Sequence, residues 1–429
     1  MSGGRTILVG GVSGLHDRLL AAALRGHGVA AETVGVPDGE ALATGRSLLA
    51  RGHCNPTYYL AGALVERLRR AAPEPAISER FAHLTIGSCG PCRFATYAAE
   101  YRRAIAGAGL GAVPVVVIDQ LRPGASEALA AIGVCLDARL LAALARAAVL
   151  GDVLLRAGCA SRAAGCVASA VDGAIDHARA LLAGRLASRG ATLPILEELA
   201  TRLAALPRAR PSATLRVRIT GEFFAANTDG AGGYDLVRWL EARGAAVVPP
   251  AVADWLLYLA WQVRRDVERR IPLYAPDPGP RGLLGRDGSA LLSRTRVVER
   301  GVARLYRRCA RSAGVTEPLL DMEDLAALAT PHYLADLRAG MGHLEVGTFL
   351  AADRDRSADL VVSIKPFGCL PSSAISDGIL PGLARRARHA GYVIVETTGD
   401  AEAQVESRLE LALERARDAV RPLPPRTNR

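Results

Sequence analysis

Eight cysteines carry the most reactive chemistry in this sequence, and four of them lie in loops just before helix-like segments. The four are Cys54, Cys89, Cys92 and Cys369. Cys54 stands in HCNP, Cys89 and Cys92 share CGPC, and Cys369 stands in PFGCLP. The positive end of a helix dipole stabilises thiolates, and its free N–H groups can donate hydrogen bonds to sulfide. Because thiolates are soft ligands, these four side chains are candidate ligands of an iron–sulfur cluster.

Parallel β-sheets are predicted to position these loops. Strand-like runs alternate with helix-like ones near both ends of the chain, which is typical of an α/β fold. Cys89 follows the strand-like run at 83–88, and Cys369 follows the apolar run at 358–367. The carboxyl ends of parallel strands meet at one edge of a sheet, so cysteines distant in sequence can converge there.

Three regions are predicted along the chain. Residues 1–140 form a first α/β domain, which contains the Cys54 loop and the CGPC loop. Residues 141–210 form a helical segment and linker, because Ala, Leu and Arg recur there at helical spacing before a proline-bearing stretch. Residues 211–429 form a second α/β domain with a helical insertion and the Cys369 loop.

The other four cysteines are interpreted as packing residues. Cys135, Cys159, Cys166 and Cys309 fall in Ala-rich segments with helical spacing. A free cysteine behaves as a small buried hydrophobe, so the sequence predicts burial for each of them.

Two other functions remain open. Cys89 and Cys92 have the spacing of a thiol–disulfide oxidoreductase, although no Trp precedes them and Cys54 and Cys369 would then have no role. The chain could also be a non-catalytic electron carrier or a scaffold in a larger complex. Structural zinc is less favoured, because no second closely spaced pair of cysteines exists.

Three charged residues are secondary site candidates. Lys365 is the only lysine in the chain, and it stands four positions before Cys369. Its compact ammonium could bind an anionic group or act on electrons through its field. Arg93, directly after Cys92, could offset the charge of a cofactor, and Glu222 could act as an acid or orient a loop. Catalytic residues are otherwise unassigned.

Composition narrows the function classes. The net charge is +10, but the arginines are spread along helix-like segments beside acidic residues, as in 264–270, and nucleic-acid binding is not predicted. Neither a secretion signal nor a membrane span is expected, so a cytoplasmic location is predicted. A Walker A loop needs a lysine in a Gly-rich setting, and the only lysine stands in IKPFG. The chain is therefore not expected to be its own ATPase.

Several motifs together resemble the 2-hydroxyacyl-CoA dehydratase family. The family is taken to include the carboxyl-terminal region of the large activator proteins and the related double-cubane cluster proteins. The matching segments, in chain order, are the C-x-P loop at 54–56, GPCRF at 90–94 followed by Tyr97, TGEFF at 220–224, PFGCLP at 366–371, GYVIVETTGD, and SRLE at 407–410.

The resemblance implies two flavodoxin-like (Rossmann-like) parallel-sheet domains with helical insertions. It implies an iron–sulfur cluster, either 4Fe-4S or of the double-cubane type, with ligands at Cys54, Cys92 and Cys369 and Cys89 as the natural additional ligand. A separate ATP-dependent activator would donate low-potential electrons. The implied reaction is radical dehydration of a hydroxyacyl-CoA or a related demanding reduction, in a homo- or heterodimer.

Overall fold

The computed structural model describes residues 5–71, 77–87, 92–118, 125–209, 213, 215–274, 288–336, 341–399 and 401–420. Cys89 lies outside these ranges, so its predicted place in the site has no structural description. The described chain contains two four-stranded sheets, and every strand pairing in both is parallel.

The first sheet is built from the amino-terminal part of the chain and has the order β2-β1-β3-β4. Its strands are β1 (Thr6–Val9), β2 (Ala31–Thr33), β3 (Phe81–Ile86) and β4 (Val115–Ile118). The helices around it are α1 (Gly14–Gly26), α2 (Gly39–Leu48), α3 (Asn55–Arg69), α4 (Ile77–Arg80) and α5 (Tyr97–Gly107), with a 3-10 turn at Arg93–Thr96.

Helices fill the middle of the chain, as the Ala- and Leu-rich sequence predicts. They are α6 (Ala125–Ala131), α7 (Ala138–Ala163), α8 (Ala168–Ala187) and α9 (Leu193–Ala204). Helices α7 and α8 pack on α1, and their small and aliphatic side chains form the largest buried apolar cluster of the described chain.

The second sheet has the order β6-β5-β7-β8, which repeats the order of the first. Its strands are β5 (Leu215–Gly221), β6 (Ala245–Val248), β7 (Leu360–Pro366) and β8 (Gly391–Thr397). The remaining helices are α10 (Phe223–Asn227), α11 (Leu236–Ala242), α12 (Val252–Tyr274), α13 (Gly288–Ser312), α14 (Met322–Ala329), α15 (Gly342–Asp355), α16 (Asp377–Ala384) and α17 (Glu402–Val420), with a π-helical turn at Ser372–Ser376.

The repeated strand order confirms two flavodoxin-like parallel-sheet units. In each unit the second strand lies on one side of the first and the third strand lies on the other, so the chain reverses direction across the sheet between β1 and β3 and between β5 and β7. All seven residues of β7 are buried, as expected for a central parallel strand covered on both faces. The carboxyl end of β7 leads into the Cys369 turn and Cys92 follows β3 along the chain, whereas Cys54 lies between α2 and α3.

A single buried carboxylate links helices from both halves of the chain. Asp152 on α7 lies 3.1 Å from Nε2 of His16 on α1 and accepts the backbone N–H groups of Val252 (2.7 Å) and Ala253 (2.9 Å) at the start of α12. Both side chains of the Asp152–His16 pair are almost inaccessible to solvent. Asp152 therefore holds the start of α1 and the start of α12 at the same position on α7.

Glycines let α2 and α3 pack at backbone distance, which sets the position of the Cys54 loop. A Cβ added at Gly62 on α3 would lie 1.7 Å from the carbonyl oxygen of Ala41, and one at Gly45 on α2 would lie 2.0 Å from that of Tyr58. No side chain larger than hydrogen fits at either position, and α3 is therefore held directly against α2 with Cys54 at its start.

The prediction for the four packing cysteines is wrong at one position and partly wrong at another. Cys135 is exposed in the loop between α6 and α7, because a left-handed Gly133 follows the end of α6 and Asp137 caps the next helix. Cys166 is buried but lies in a loop, where it forms an isolated antiparallel bridge with Arg208. Cys159 on α7 and Cys309 on α13 are buried in helices, as predicted.

The predicted pairing of arginines with acidic neighbours is confirmed on α12. Arg264 lies within ion-pair distance of Glu268, and Arg270 of Asp266, each at i,i+4 spacing. Within the described ranges, no helix has the length and apolar character needed to cross a membrane.

Candidate metal centre

Cys54 occupies the N-cap position of α3, where the backbone turns from extended to helical. Pro56 in the first turn has its fixed φ angle already suited to a helix. The Cys54 thiol is buried, and its Sγ lies 3.1 Å from the hydroxyl oxygen of Tyr97 and 3.5 Å from that of Thr57. The sulfur therefore has two hydroxyl groups beside it.

Cys92 caps the 3-10 turn that leads into α5. Its Sγ accepts the backbone N–H of Phe94 at 3.5 Å, and the residue is partly exposed. Burial raises the pKa of the Cys92 thiol, the N–H of Phe94 lowers it, and the negative charge of Glu222 raises it again. Cys92 therefore lies close enough to Glu222 to be affected by its charge.

Cys369 lies in a tight turn directly after β7. Its N–H donates to the carbonyl of Pro366 at 3.0 Å, and Gly368 adopts the left-handed conformation (φ +72°) that the turn requires. Burial and the charge of Glu222 raise the pKa of the Cys369 thiol to about 12, against hydrogen bonds from Ser372 that lower it. The side chain is buried, while its neighbours Phe367 and Leu370 are exposed.

The three cysteine loops contact one another although they come from different sheets. The Arg93 guanidinium donates to the carbonyl of Gly52, two residues before Cys54. The same group lies against the Cys369 turn, since a Cβ added at Gly368 would be 3.8 Å from Nη1 of Arg93. The exposed Arg93 side chain therefore bridges the loops of Cys54 and Cys369 and follows Cys92 in sequence.

A second contact ties the start of α3 to the second sheet. Nδ2 of Asn55, next to Cys54, donates to the carbonyl of Thr397 at 2.6 Å, at the end of β8. Arg46 on α2 donates to the neighbouring carbonyl of Thr398 at 2.6 Å. The end of α2 and the start of α3 thus lie against the carboxyl end of β8.

Glu222 lies among the cysteines and also caps a helix. Its carboxylate accepts the N–H of Ala225 at 3.0 Å at the start of α10. Burial raises the pKa of Glu222, and its negative charge contributes to the raised pKa of Cys92, Cys369 and Tyr97. The sequence suggested that Glu222 acts as an acid or orients a loop. The hydrogen bond from Ala225 is a contact of the second kind.

Lys365 is an internal ion-pair partner. It is fully buried on β7, with Nζ 3.2 Å from Glu345 Oε2 on α15 and in contact with Asp377 on α16. Burial alone would lower the pKa of Lys365, but the charges of Glu345 and Asp377 raise it above its usual value. Its ammonium is thus engaged by carboxylates of this chain.

Glu345 connects Lys365 with the Cys369 turn. It accepts hydrogen bonds from the hydroxyl groups of Ser363 (2.9 Å) and Ser372 (2.6 Å), and it has no solvent-accessible surface. The backbone N–H of Ser372 in turn donates to Cys369. A continuous buried polar network therefore supports the turn that carries this cysteine.

The three cysteines of the site are soft donors. Among the residues that the structure describes, no three His, Cys, Asp or Glu side chains are arranged to hold a metal ion. Cys54, Cys92 and Cys369 nevertheless supply three soft donors on contacting loops, which is the ligand type that iron–sulfur clusters take.

The glycine-containing loop after β1 is closed by the chain's own carboxylates. Asp17 accepts the N–H groups of Gly11 (3.2 Å) and Val12 (3.3 Å), and Asp229 accepts that of Gly14 (2.8 Å). These backbone groups are the ones that a phosphate would need at a helix N-terminus. The loop is therefore a tight turn whose N–H groups already have acceptors in this chain.

Asp17→Asn is expected to reduce the pH dependence of stability. Burial raises the pKa of Asp17 to about 7, so between about pH 4 and pH 7 the folded chain holds a proton that the unfolded chain has released. The contribution of Asp17 to the free energy of unfolding is fully present below about pH 4 and is lost as the pH rises through about 7. The loss is roughly 4 kcal/mol at most.

Urea unfolding at pH 5 and at pH 8 measures this difference. The loss of stability at the higher pH should be larger in the parent protein than in Asp17→Asn. Equal losses in the two proteins would show that Asp17 is not the group responsible.

Glu345, Ser372 and Asn55 support the cysteine site but were not predicted from the sequence. Glu345 lies in an otherwise apolar helical stretch, and that isolation among apolar residues was its available signal. Ser372 and Asn55 stand next to motifs that were noted, but their hydrogen bonds depend on residues far away in the sequence.

The chain matches no protein-family model, and no curated protein matches it closely enough to count as related. The function must therefore be argued from the fold and from the cysteine site.

Proposed function

We propose that this chain holds an iron–sulfur cluster at the meeting point of its two sheets. Cys54, Cys92 and Cys369 are the proposed ligands, with Cys89 of the CGPC segment as the fourth. The observation that carries the proposal is the contact between the three cysteine loops, made through Arg93, next to the contact of Asn55 with the carboxyl end of β8.

Polar groups around the cysteines support this assignment. The hydroxyl of Tyr97, the N–H of Phe94 and the Ser372 groups are donors next to the three sulfurs, and such hydrogen bonds raise the reduction potential of a cluster. The positive charge of Arg93 offsets the negative charge of a cluster held by thiolates. A bound cluster supplies one-electron chemistry.

The proposed role is that of the 2-hydroxyacyl-CoA dehydratase and activator type. The chain would accept low-potential electrons from a separate ATP-dependent reductase, for dehydration of a hydroxyacyl-CoA or a related reduction. Exposed Phe367 and Leu370 on either side of Cys369 give this edge an apolar surface for such a donor. Glu222, with its raised pKa, can hold a proton at a higher pH than an ordinary glutamate.

Thiol–disulfide exchange through Cys89 and Cys92 is the competing function. An exchanging thiol usually has a lowered pKa, whereas burial raises that of Cys92. That function would also leave the contacts between the Cys92 and Cys369 loops without a role. A non-catalytic electron carrier is the third possibility, and it shares the proposed cluster. A cytoplasmic location and a dimer are proposed with the same function.

Anaerobic reconstitution tests the proposal. The purified chain is incubated with iron, sulfide and thiol, desalted, and analysed for bound iron and sulfide and by EPR after reduction. Stoichiometric iron and sulfide with a cluster signal are expected, and protein that stays colourless would refute the proposal. Insulin reduction that survives Cys54→Ala and Cys369→Ala would instead favour thiol exchange. A cluster without turnover on any acyl-CoA would favour the electron carrier.

A further inference from the structure

Helix α13 exposes a row of arginines on the face opposite its buried side. Its inner face contributes Val302, Tyr306 and Cys309 to the core, and the helix packs against α7, α9 and α12. From position 300 onward the outer face carries five exposed arginines, here called the arginine stripe: Arg300, Arg304, Arg307, Arg308 and Arg311. Arg296, one turn earlier, lies 3.5 Å from Glu268 and is not part of the stripe. Arg300, Arg304, Arg307 and Arg311 are four, three and four residues apart, so they lie on successive turns of one side of the helix. Arg308 lies on the same side, next to Arg307.

The arginine stripe lacks acidic partners within the described parts of the chain, where none of its five guanidinium groups has a carboxylate within 4.0 Å. The one acidic residue in the α13 sequence is Glu299, and its carboxylate is bound by Arg264 of α12 at 3.1 Å. Arg264 itself contacts three glutamates. Arginine on α12 is thus neutralised by neighbours, and arginine on the stripe is not.

The stripe destabilises its own helix. Like charges at i,i+4, as in Arg300 with Arg304 and Arg304 with Arg308, oppose helix formation by about 0.2–0.5 kcal/mol per pair. From Arg300 to Arg311 the stripe covers about 16 Å of helix, at about 1.5 Å per residue. A surface of this length and single sign attracts an anionic partner and repels a second copy of itself.

Two exposed valines decide which anionic partner fits. Val297 is 66% exposed and Val298 is 50% exposed, and Val297 stands seven residues, or two turns, before Arg304 on the same side of α13. Protein interfaces combine an apolar centre with arginines, whereas a phosphate backbone offers nothing apolar for these valines to contact. The aromatic residue of α13, Tyr306, is buried, so α13 has no ring on which bases could stack.

We infer that the arginine stripe and Val297 form a docking surface for an acidic protein partner. The partner would present aspartates or glutamates along a helix or a flat surface, with an apolar side chain that covers Val297. This surface lies on α13 and shares no residue with the cysteine site. The inference therefore does not rest on the proposed function.

Binding to a defined acidic peptide tests the surface. The probe is a synthetic helical peptide of about 20 residues, with glutamates at i, i+4, i+7 and i+11 and two leucines one turn before them. The comparison ligands are a DNA duplex of about 20 base pairs and vesicles of phosphatidylserine and phosphatidylcholine. Fluorescence anisotropy for peptide and DNA, and co-sedimentation for vesicles, are measured at physiological ionic strength with the full chain.

The stripe variant is Arg300→Glu/Arg304→Glu/Arg311→Glu. Its matched control is Arg18→Glu/Arg408→Glu/Arg415→Glu, which changes the net charge equally at exposed arginines of α1 and α17. The stripe variant should weaken peptide binding by about tenfold or more, and the control should change it by less than about twofold. Circular dichroism confirms that both variants are folded.

A second variant separates the protein partner from other anions. Val297→Ser/Val298→Ser should weaken binding of the peptide and leave binding of the duplex unchanged. Equal loss of peptide binding in the stripe variant and in its control would overturn the inference. Tighter binding of the duplex or of the vesicles than of the peptide, lost in the stripe variant, would overturn it in favour of nucleic acid or membrane.

Discussion

Replacing Cys369 by serine is expected to reduce the iron and sulfide bound after reconstitution to less than about half, with loss of the EPR signal of the parent protein. A serine hydroxyl is a much poorer ligand for iron than a thiolate, because it is harder and gives up its proton at a far higher pH. Cys369 is also the one proposed ligand that the second sheet supplies. Without it, the cluster would lose its attachment to that half of the molecule. Cys54→Ser and Cys92→Ser should each have a comparable effect.

Cys135→Ser provides the matched control for this series. Cys135 is exposed between α6 and α7, so its replacement disturbs neither the core nor the cysteine loops. This variant should bind as much iron and sulfide as the parent protein. If Cys369→Ser kept its full complement of iron while Cys135→Ser lost it, the cluster would have to lie elsewhere.

The architecture was predictable because its signals are local. Strand-like runs and helical spacing indicated two α/β units and the helices between them, and both sheets follow that pattern. The shared setting of Cys54, Cys92 and Cys369, each just before a helical segment, was visible for the same reason. Cys135 was misjudged because the loop between the two Ala-rich helices is itself mostly apolar, and only Gly133 and Asp137 mark the break.

The contacts that assemble the site were not predictable from spacing. Asn55 meets Thr397 across 342 residues of sequence, and Arg93 meets Gly52 across 41. Such pairs depend on how two sheets face each other, which no local pattern encodes. The lone lysine was a signal of a different kind. Its rarity in an arginine-rich chain drew attention to Lys365, but its partners Glu345 and Asp377 were found only in the fold.

Lys365→Met is expected to destabilise the folded chain by about 3–5 kcal/mol, since it leaves the carboxylate of Glu345 buried without its positive partner. The parent side chain and Glu345 are both inaccessible to solvent, so water cannot replace the lost ammonium. Urea unfolding followed by circular dichroism measures the loss. It should be smaller at low pH, because the orphaned Glu345 can then take up a proton.

Two companion variants show whether charge or size makes lysine necessary at this position. Lys365→Met/Glu345→Gln removes both charges and should recover part of the stability that Lys365→Met loses, as a thermodynamic cycle would reveal. Lys365→Arg keeps the charge but must fit a larger, planar group between Glu345 and Asp377, and it should cost about 1–3 kcal/mol through overpacking. Full stability of Lys365→Met would mean that the buried pair contributes nothing. Full stability of Lys365→Arg would mean that the compact ammonium is not what this site selects.

Since Ser372 connects Glu345 with Cys369, loss of the Lys365–Glu345 pair should also loosen the turn that presents the proposed ligand.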